Sequence, residues 1–440
     1  MKKYFATFFL SLCCLWTLSA QDTVKNYWSN KKLMSIGLQK NGKEDGLWVY
    51  YHKNGVKWME GRFDNGKKVG VWTEWFDDGK RSREFQAENG PFKSWYASGQ
   101  IESEGQMKDG MRSGQWTFLY PNGKLFKKAT YVNDSVQGKV TEYYDNGERK
   151  FEGHYENGKL NGYTQWWTAS GQVDMEGNTV NDLQEGIWKF YHQDGSLGST
   201  GNFVNGKQDG EWKYYFEDGK LWKIVNYKDD KRQGLSKAWY ENGKLQRQGN
   251  FVDDKEDGLW ESYYSNGKTQ DKGAFQKGMM TGIWEGFYEN GTQKYHILYQ
   301  NNERNGVYKY WNENGKIKSD GNYSKNLKHG AWKEYADNGP VLESGTYKND
   351  QREGTWVFYN ERGIMVRQQN FKDDAPEGKF TEFYPNGKKH FTGCFKNRLK
   401  QGTWMNWDPN GRLVYKVVFD KGKKVKVMSD FLDPESNKPF

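Results

Sequence analysis

Histidine, cysteine and proline are scarce in this chain: six, three and eight residues of 440. Cys13 and Cys14 fall within the first twenty residues, so Cys394 stands alone after them and an internal disulfide framework is excluded. The histidines (His52, His154, His192, His296, His329, His390) have no spacing that lets two share a metal. Neither Cys-x-x-Cys nor His-Glu-x-x-His occurs. The expectation is therefore a non-enzymatic chain with no catalytic, metal or cofactor site. Long apolar runs are missing too, apart from Tyr4–Leu18, which is short for a membrane span. It follows Lys2 and Lys3 and precedes Ser19-Ala20, so residues 1–20 read as a signal peptide. Export to the periplasm, the cell surface or the medium is expected. Leu12 before Cys13 is too large to favour a lipid anchor there.

What is present is aromatic and glycine-rich. Apolar residues make up 35% and mean hydropathy is −1.09, lean for a large globular core. Aromatics reach 17%, too rich for a disordered chain. Fifty-two glycines against eight prolines fit many short strands and tight turns. Charges of both signs interleave, so the net +9 (+7 without Lys2 and Lys3) reads as a solvated surface, with no nucleic-acid partner.

The decisive pattern is a repeat. Glycines stand at 46, 70, 90, 114 and then every 24 residues to 402, with one step of 20 from Gly70 to Gly90. A second column, Gly55, Gly79, Gly99 to Gly411, follows nine residues behind. With the first glycine as position 0, each of about sixteen units reads as two strands around an Asn-Gly-like pair at positions 8 and 9. That pair suits a type I′ hairpin. A second turn is expected at positions 19 and 20, as in Asn65-Gly66 or Asp253-Asp254.

A two-residue turn pairs positions that sum to 17. Position 2, aromatic in thirteen units (Trp48, Trp72, Trp116, Trp260 among them), then lies opposite position 15, often glycine. Position 0 lies opposite the Phe or Tyr at position 17. Both glycines are expected to be slots for a ring across the hairpin. A lone unit cannot offset its ordering entropy, so stability must come from neighbours. The expectation is an all-β, elongated single-layer antiparallel sheet, on the order of 150 Å long at about 4.8 Å per strand. Residues 21–45 read as a degenerate capping repeat, 46–425 as the array and 426–440 as a C-terminal cap or tail, stopped at Asp433-Pro434.

Glycine followed by an aromatic two or five residues on, an Asn-Gly turn and then Gly-x-aromatic resembles the MORN repeat in its MORN-2 variant. YwqK-type antitoxin-like proteins share that pattern. The resemblance implies an antiparallel β ribbon with roles in scaffolding or peripheral lipid contact.

The candidate binding residues are the aromatics at position 5: Tyr51, Trp75, Trp95, Tyr143, Trp167, Tyr191, Tyr215, Trp239, Tyr263, Trp311, Tyr335, Tyr359 and Trp407, with Phe287 and Phe383 in the same column. Alternation places them on the face opposite position 2, unless a bulge returns them to the packed face. The leading expectation is an exported scaffold that binds a protein partner. The alternatives are a glycan or cell-wall binder, contact with a membrane surface, and an antitoxin-like partner of a toxin.

Overall fold

The computed structural model describes residues 22–430. The signal peptide reading at 1–20 and the stop at Asp433-Pro434 lie outside the described residues. Among these residues there is no helix, and 37 strands form one open antiparallel sheet. The chain divides into two compact units, one ending at Lys207 and the other beginning at Gln208. Each is a run of the same hairpin.

Within a hairpin the expected register holds. Lys43–Tyr51 pairs with Lys57–Asp64 through Gly46–Phe63, Trp48–Gly61 and Tyr50–Met59. It then shifts, because Tyr51 pairs with Lys57 and Trp58 is left over. The first turn is accordingly not type I′. Asn54 keeps a negative φ, Gly55 alone is left-handed at φ 94°, and Gly55 N donates to His52 O at 2.9 Å. This is a type I turn closed by a left-handed glycine, and the extra residue forms the bulge. The second turn is the type I′ one, with both residues at positive φ: Asn65 and Gly66 at 48° and 84°, Asp253 and Asp254 at 47° and 66°.

The glycines do two jobs that the sequence reading merged. Between hairpins, Glu60 pairs with Thr73 and Arg62 with Val69, so Gly70, Val71 and Trp72 together oppose the single Gly61. Gly70 turns this wide bulge at φ 67°, and a Cβ there would meet nothing within 4 Å. Position 0 is therefore glycine for its backbone and not for a ring across from it. Position 15 is the true slot, but the ring comes from the following unit. A Cβ on Gly61 would stand 2.1 Å from the Trp72 indole, and Gly105, Gly249 and Gly345 are filled in the same way by Trp116, Trp260 and Trp356. The bulge swings each tryptophan back over its predecessor. In most units its Nε1 then donates to the carbonyl at position 16, as Trp48 does to Leu38 O, Trp260 to Asn250 O and Trp404 to Cys394 O, whereas Trp332 donates to Glu334 Oε1.

Exceptions follow the same logic. Where position 15 carries a side chain, the next unit's position 2 is not tryptophan: Ala129 with Val140, Val225 with Ser236, Ile297 with Tyr308, Gln369 with Phe380. Edge-to-face contacts with position 17 complete the packed face, as in Trp48–Phe63–Trp72 and Phe251–Trp260–Phe275–Trp284. Each such pair is worth about 0.5–1.5 kcal/mol beyond burial. Cations at position 22 lie over the rings, with Lys68 at 4.3 Å from Trp72 and Lys328 at 4.1 Å from Trp332. A single sheet thereby buries Trp72 and Trp356 completely.

Candidate functional site

The position 5 column keeps its alternation, because the bulge sits on the partner strand at position 12. Position 2 contacts positions 4 and 17 on the ring face; position 5 lies on the other. All sixteen of its side chains are half-buried. Several are already occupied by the preceding unit. Lys57 lies 4.9 Å over Trp75, Arg149 5.3 Å over Trp167, and Lys389 5.9 Å over Trp407.

Three tyrosines of the column turn their hydroxyls to acids. Tyr191 donates to Glu176 Oε1 at 2.7 Å, Tyr263 to Glu261 at 2.9 Å and Tyr335 to Asp320 at 3.3 Å. Burial first, and then Glu176, pushes the Tyr191 phenol well above its usual range, and Tyr163 on the same carboxylate rises to about 12. Desolvation raises Glu176, but hydrogen bonds from Tyr163, Tyr191 and Lys189 outweigh it and hold the carboxyl below its ordinary value.

Large apolar side chains stand exposed on this face at position 1: Leu47, Val71, Tyr163, Ile187, and the consecutive Leu235, Leu259 and Ile283, which are 43%, 59% and 50% exposed. Between them and position 5 run cross-strand ion pairs at positions 3 and 14, such as Lys93–Glu104 at 3.2 Å and Lys272–Glu285 at 3.1 Å. Among the described residues no three His, Cys, Asp or Glu side chains come together as metal ligands.

The sequence reading missed the residues that hold the turns in line. At position 6 the hydroxyls of Tyr96, Tyr120, Tyr264 and Tyr384 donate to the position 5 carbonyl of the next unit at 2.8–2.9 Å, and His52 contacts Trp75 O through Nε2. The Asn of Asn-Gly does more than tolerate a turn. Asn266 Nδ2 reaches Glu289 O at 3.0 Å while its Oδ1 accepts from Lys268 N at 2.9 Å, and Lys268 Nζ donates to Asn290 O.

At the other edge, acids taken as merely solvated cap backbone amides of a neighbouring unit. Asp257 accepts from Lys277 N, and Asp254 from Arg232 N. A recurrent Tyr at position 6 and Lys at position 10 was the available signal, unread because neither column is unbroken.

The MORN repeat variant matches thirteen stretches, at residues 44–65, 88–109, 112–133, 136–157, 184–205, 208–229, 232–253, 256–277, 280–301, 304–325, 328–349, 352–373 and 376–397. The chain belongs to the MORN repeat family. The gaps between MORN matches are informative. Residues 66–87 belong to the unit shortened by four, and 158–183 to a unit where Gly153 faces Thr164 instead of a tryptophan. No curated protein matches the chain. A solved TcdB2-TccC3-TEV structure aligns with it at 11% identity, covering 90% of this chain and 24% of that one, with a TM-score of 0.16. TcdB2-TccC3 without its hypervariable C-terminal region aligns at 10% identity, covering 91% and 27%, with a TM-score of 0.15. The chain spans about a quarter of the length of those solved chains.

Proposed function

We propose that this MORN repeat chain is an exported, non-catalytic scaffold that binds protein through the face opposite its ring core. The observation that carries the reading is the position 1 row. Leu235, Leu259 and Ile283 stand exposed to solvent, one per hairpin, beside half-buried position 5 rings. Most of the ring face is covered by its own packing, with Trp58 and Trp222 exposed at 41% as exceptions, whereas this face leaves aliphatic area uncovered in consecutive units. Cations over Trp75, Trp167 and Trp407 leave those rings less open to sugar stacking, which favours a protein partner along the strip.

Site-specific photocrosslinking in the native host tests the reading. A crosslinker at Leu259 or Tyr263 should give protein adducts, and one at Arg247, which packs over Trp260 on the ring face, should not. Adducts from Arg247 alone would reverse the assignment of faces. Recovery of the chain in the cytoplasm with an intact leader would remove the export reading.

A further inference from the structure

One stretch of the strip departs from the rest. Across three consecutive hairpins of the second unit, the face opposite the ring core sinks into a basin of about 500 Å³. Its floor is small where other units are large. Ala331 and Thr355 take position 1, which is Leu259 and Ile283 elsewhere, and Ser344 takes position 14, which is Glu152 and Glu176 elsewhere.

The charge ladder changes in the same place. Asp320 lies across from both Lys309 and Lys333, and Lys333 lies across from Ser344. Asp320 accepts from the Tyr335 hydroxyl, and neither lysine has a carboxylate within 4 Å among the described residues. In the same position 3 column Lys93 is paired with Glu104 and Lys189 with Glu176. The basin therefore holds two exposed ammonium groups that flank Asp320 without an ion pair within 4 Å, and the short polar groups Asn322, Ser344, Thr346 and Thr355 around its floor.

We infer that this basin binds an acidic oligosaccharide, one bearing a carboxylate on every second sugar. The two lysines sit one repeat apart, two strand spacings or roughly 10 Å. A pyranose is about as long as one strand spacing, so carboxylates on alternate sugars match the interval between Lys309 and Lys333. The intervening neutral sugar lies over the Asp320 strand, where its hydroxyls can donate to that carboxylate and to Asn322 on the same strand, and Ser344 and Thr346 offer further partners beyond Lys333. An acidic peptide would supply the charge but leave this ring of short hydrogen-bonding groups largely unused. The inference goes beyond the scaffold reading and stands without it, since it uses none of the exposed Leu and Ile side chains of position 1.

Calorimetric titration of the full chain with a hyaluronate hexasaccharide, which alternates uronate and neutral sugars, tests it. The hexasaccharide should bind, with cellohexaose and an acidic glutamate–serine hexapeptide each at least about tenfold weaker. Lys309→Gln and Lys333→Gln should each weaken binding several-fold, and Ala331→Leu, which fills the floor, should abolish it. Lys189→Gln, a paired lysine of the same position 3 column, should leave it unchanged. Binding that survives Ala331→Leu, or a peptide that binds as tightly as the sugar, overturns the assignment. So does an absence of binding at millimolar hexasaccharide. None of these outcomes alters the photocrosslinking result expected at Leu259, so the two readings fail separately.

Discussion

Gly273→Ala is the smallest change that should break the interlock between units. In most strand positions the substitution stabilises by a few tenths to about 1 kcal/mol, by lowering the entropy of the unfolded chain. Here the new Cβ would lie 2.1 Å from the Trp284 indole, a distance no relaxation of a methyl can absorb. The ring must lift by more than 1 Å. It then loses its edge-to-face contact with Phe275 at 5.0 Å and its Nε1 bond to Ala274 O at 3.1 Å. Overpacking costs about 1–3 kcal/mol, the ring pair about 0.5–1.5 and the hydrogen bond about 0.5–1.5. The expected loss is thus about 3–5 kcal/mol, read by denaturant unfolding and localised by amide exchange on either side of residue 273. The chain supplies its own rescue, because Val225 is followed by Ser236 in the same two positions. Gly273→Val with Trp284→Ser should recover most of the loss that either change causes alone. A Gly273→Ala chain as stable as the parent, or a double variant with no coupling, would refute the account.

Asn266→Ala should cost about 1–2 kcal/mol and speed exchange of the Lys268 amide, because one side chain bridges two turns. Tyr264→Phe should cost about 1 kcal/mol through the lost bond to Phe287 O, with the sheet signal in circular dichroism unchanged. The Tyr163 phenol is raised from 10 to about 12, so its hydrogen bond stabilises fully below pH 10 and is lost as pH rises through about 12. Absorbance at 295 nm should show a late-titrating tyrosine that moves down in Glu176→Gln. Glu176 has the opposite sign. Its carboxyl is held low, so its contribution is present above the ordinary glutamate value and fades as pH falls below it, which an acid unfolding series of wild type against Glu176→Gln should reveal.

The repeat, the two turns per unit and the hairpin register were legible because glycine spacing and period-2 alternation are local. The first turn departs from type I′ for a reason the pattern hides. Asn-Gly suits type I′, but Asn54 is recruited by a carbonyl of the next unit, Asp77 O at 2.8 Å, while keeping negative φ. The slot for each tryptophan was read as lying across its own hairpin because pairing positions can be counted, whereas a three-for-one bulge cannot. Yet the covariation was in view. Gly61, Gly105 and Gly249 are each followed eleven residues later by tryptophan, while Ala129, Val225 and Ile297 are followed by Val140, Ser236 and Tyr308. Comparing adjacent units, not averaging all of them, would have found it. The position 5 column was legible as a column and as a face; its cation partners were not, since Lys57 and Trp75 belong to different units.

The two faces of the sheet answer to different constraints, and that division is what gives a repetitive chain room for recognition. On the ring face, each residue is tied to both neighbours by a tryptophan, a glycine and a cation, so a change in one unit is felt in the next. On the opposite face, positions 1, 3 and 14 touch mainly their cross-strand partners, and replacing Leu or Glu by Ala331 or Ser344 disturbs no interlock. Sequence can drift there unit by unit at little cost in stability, and the basin between Lys309 and Lys333 is what such drift produces. If that reasoning holds, Ala331→Leu and Ser344→Glu together should leave the unfolding midpoint within about 0.5 kcal/mol of wild type. Gly345→Ala, one residue from Ser344 but on the interlock beneath Trp356, should cost several times more in the same assay. Equal effects from the two changes would mean that the faces are not independent, and that neither can be tuned for a partner without the other.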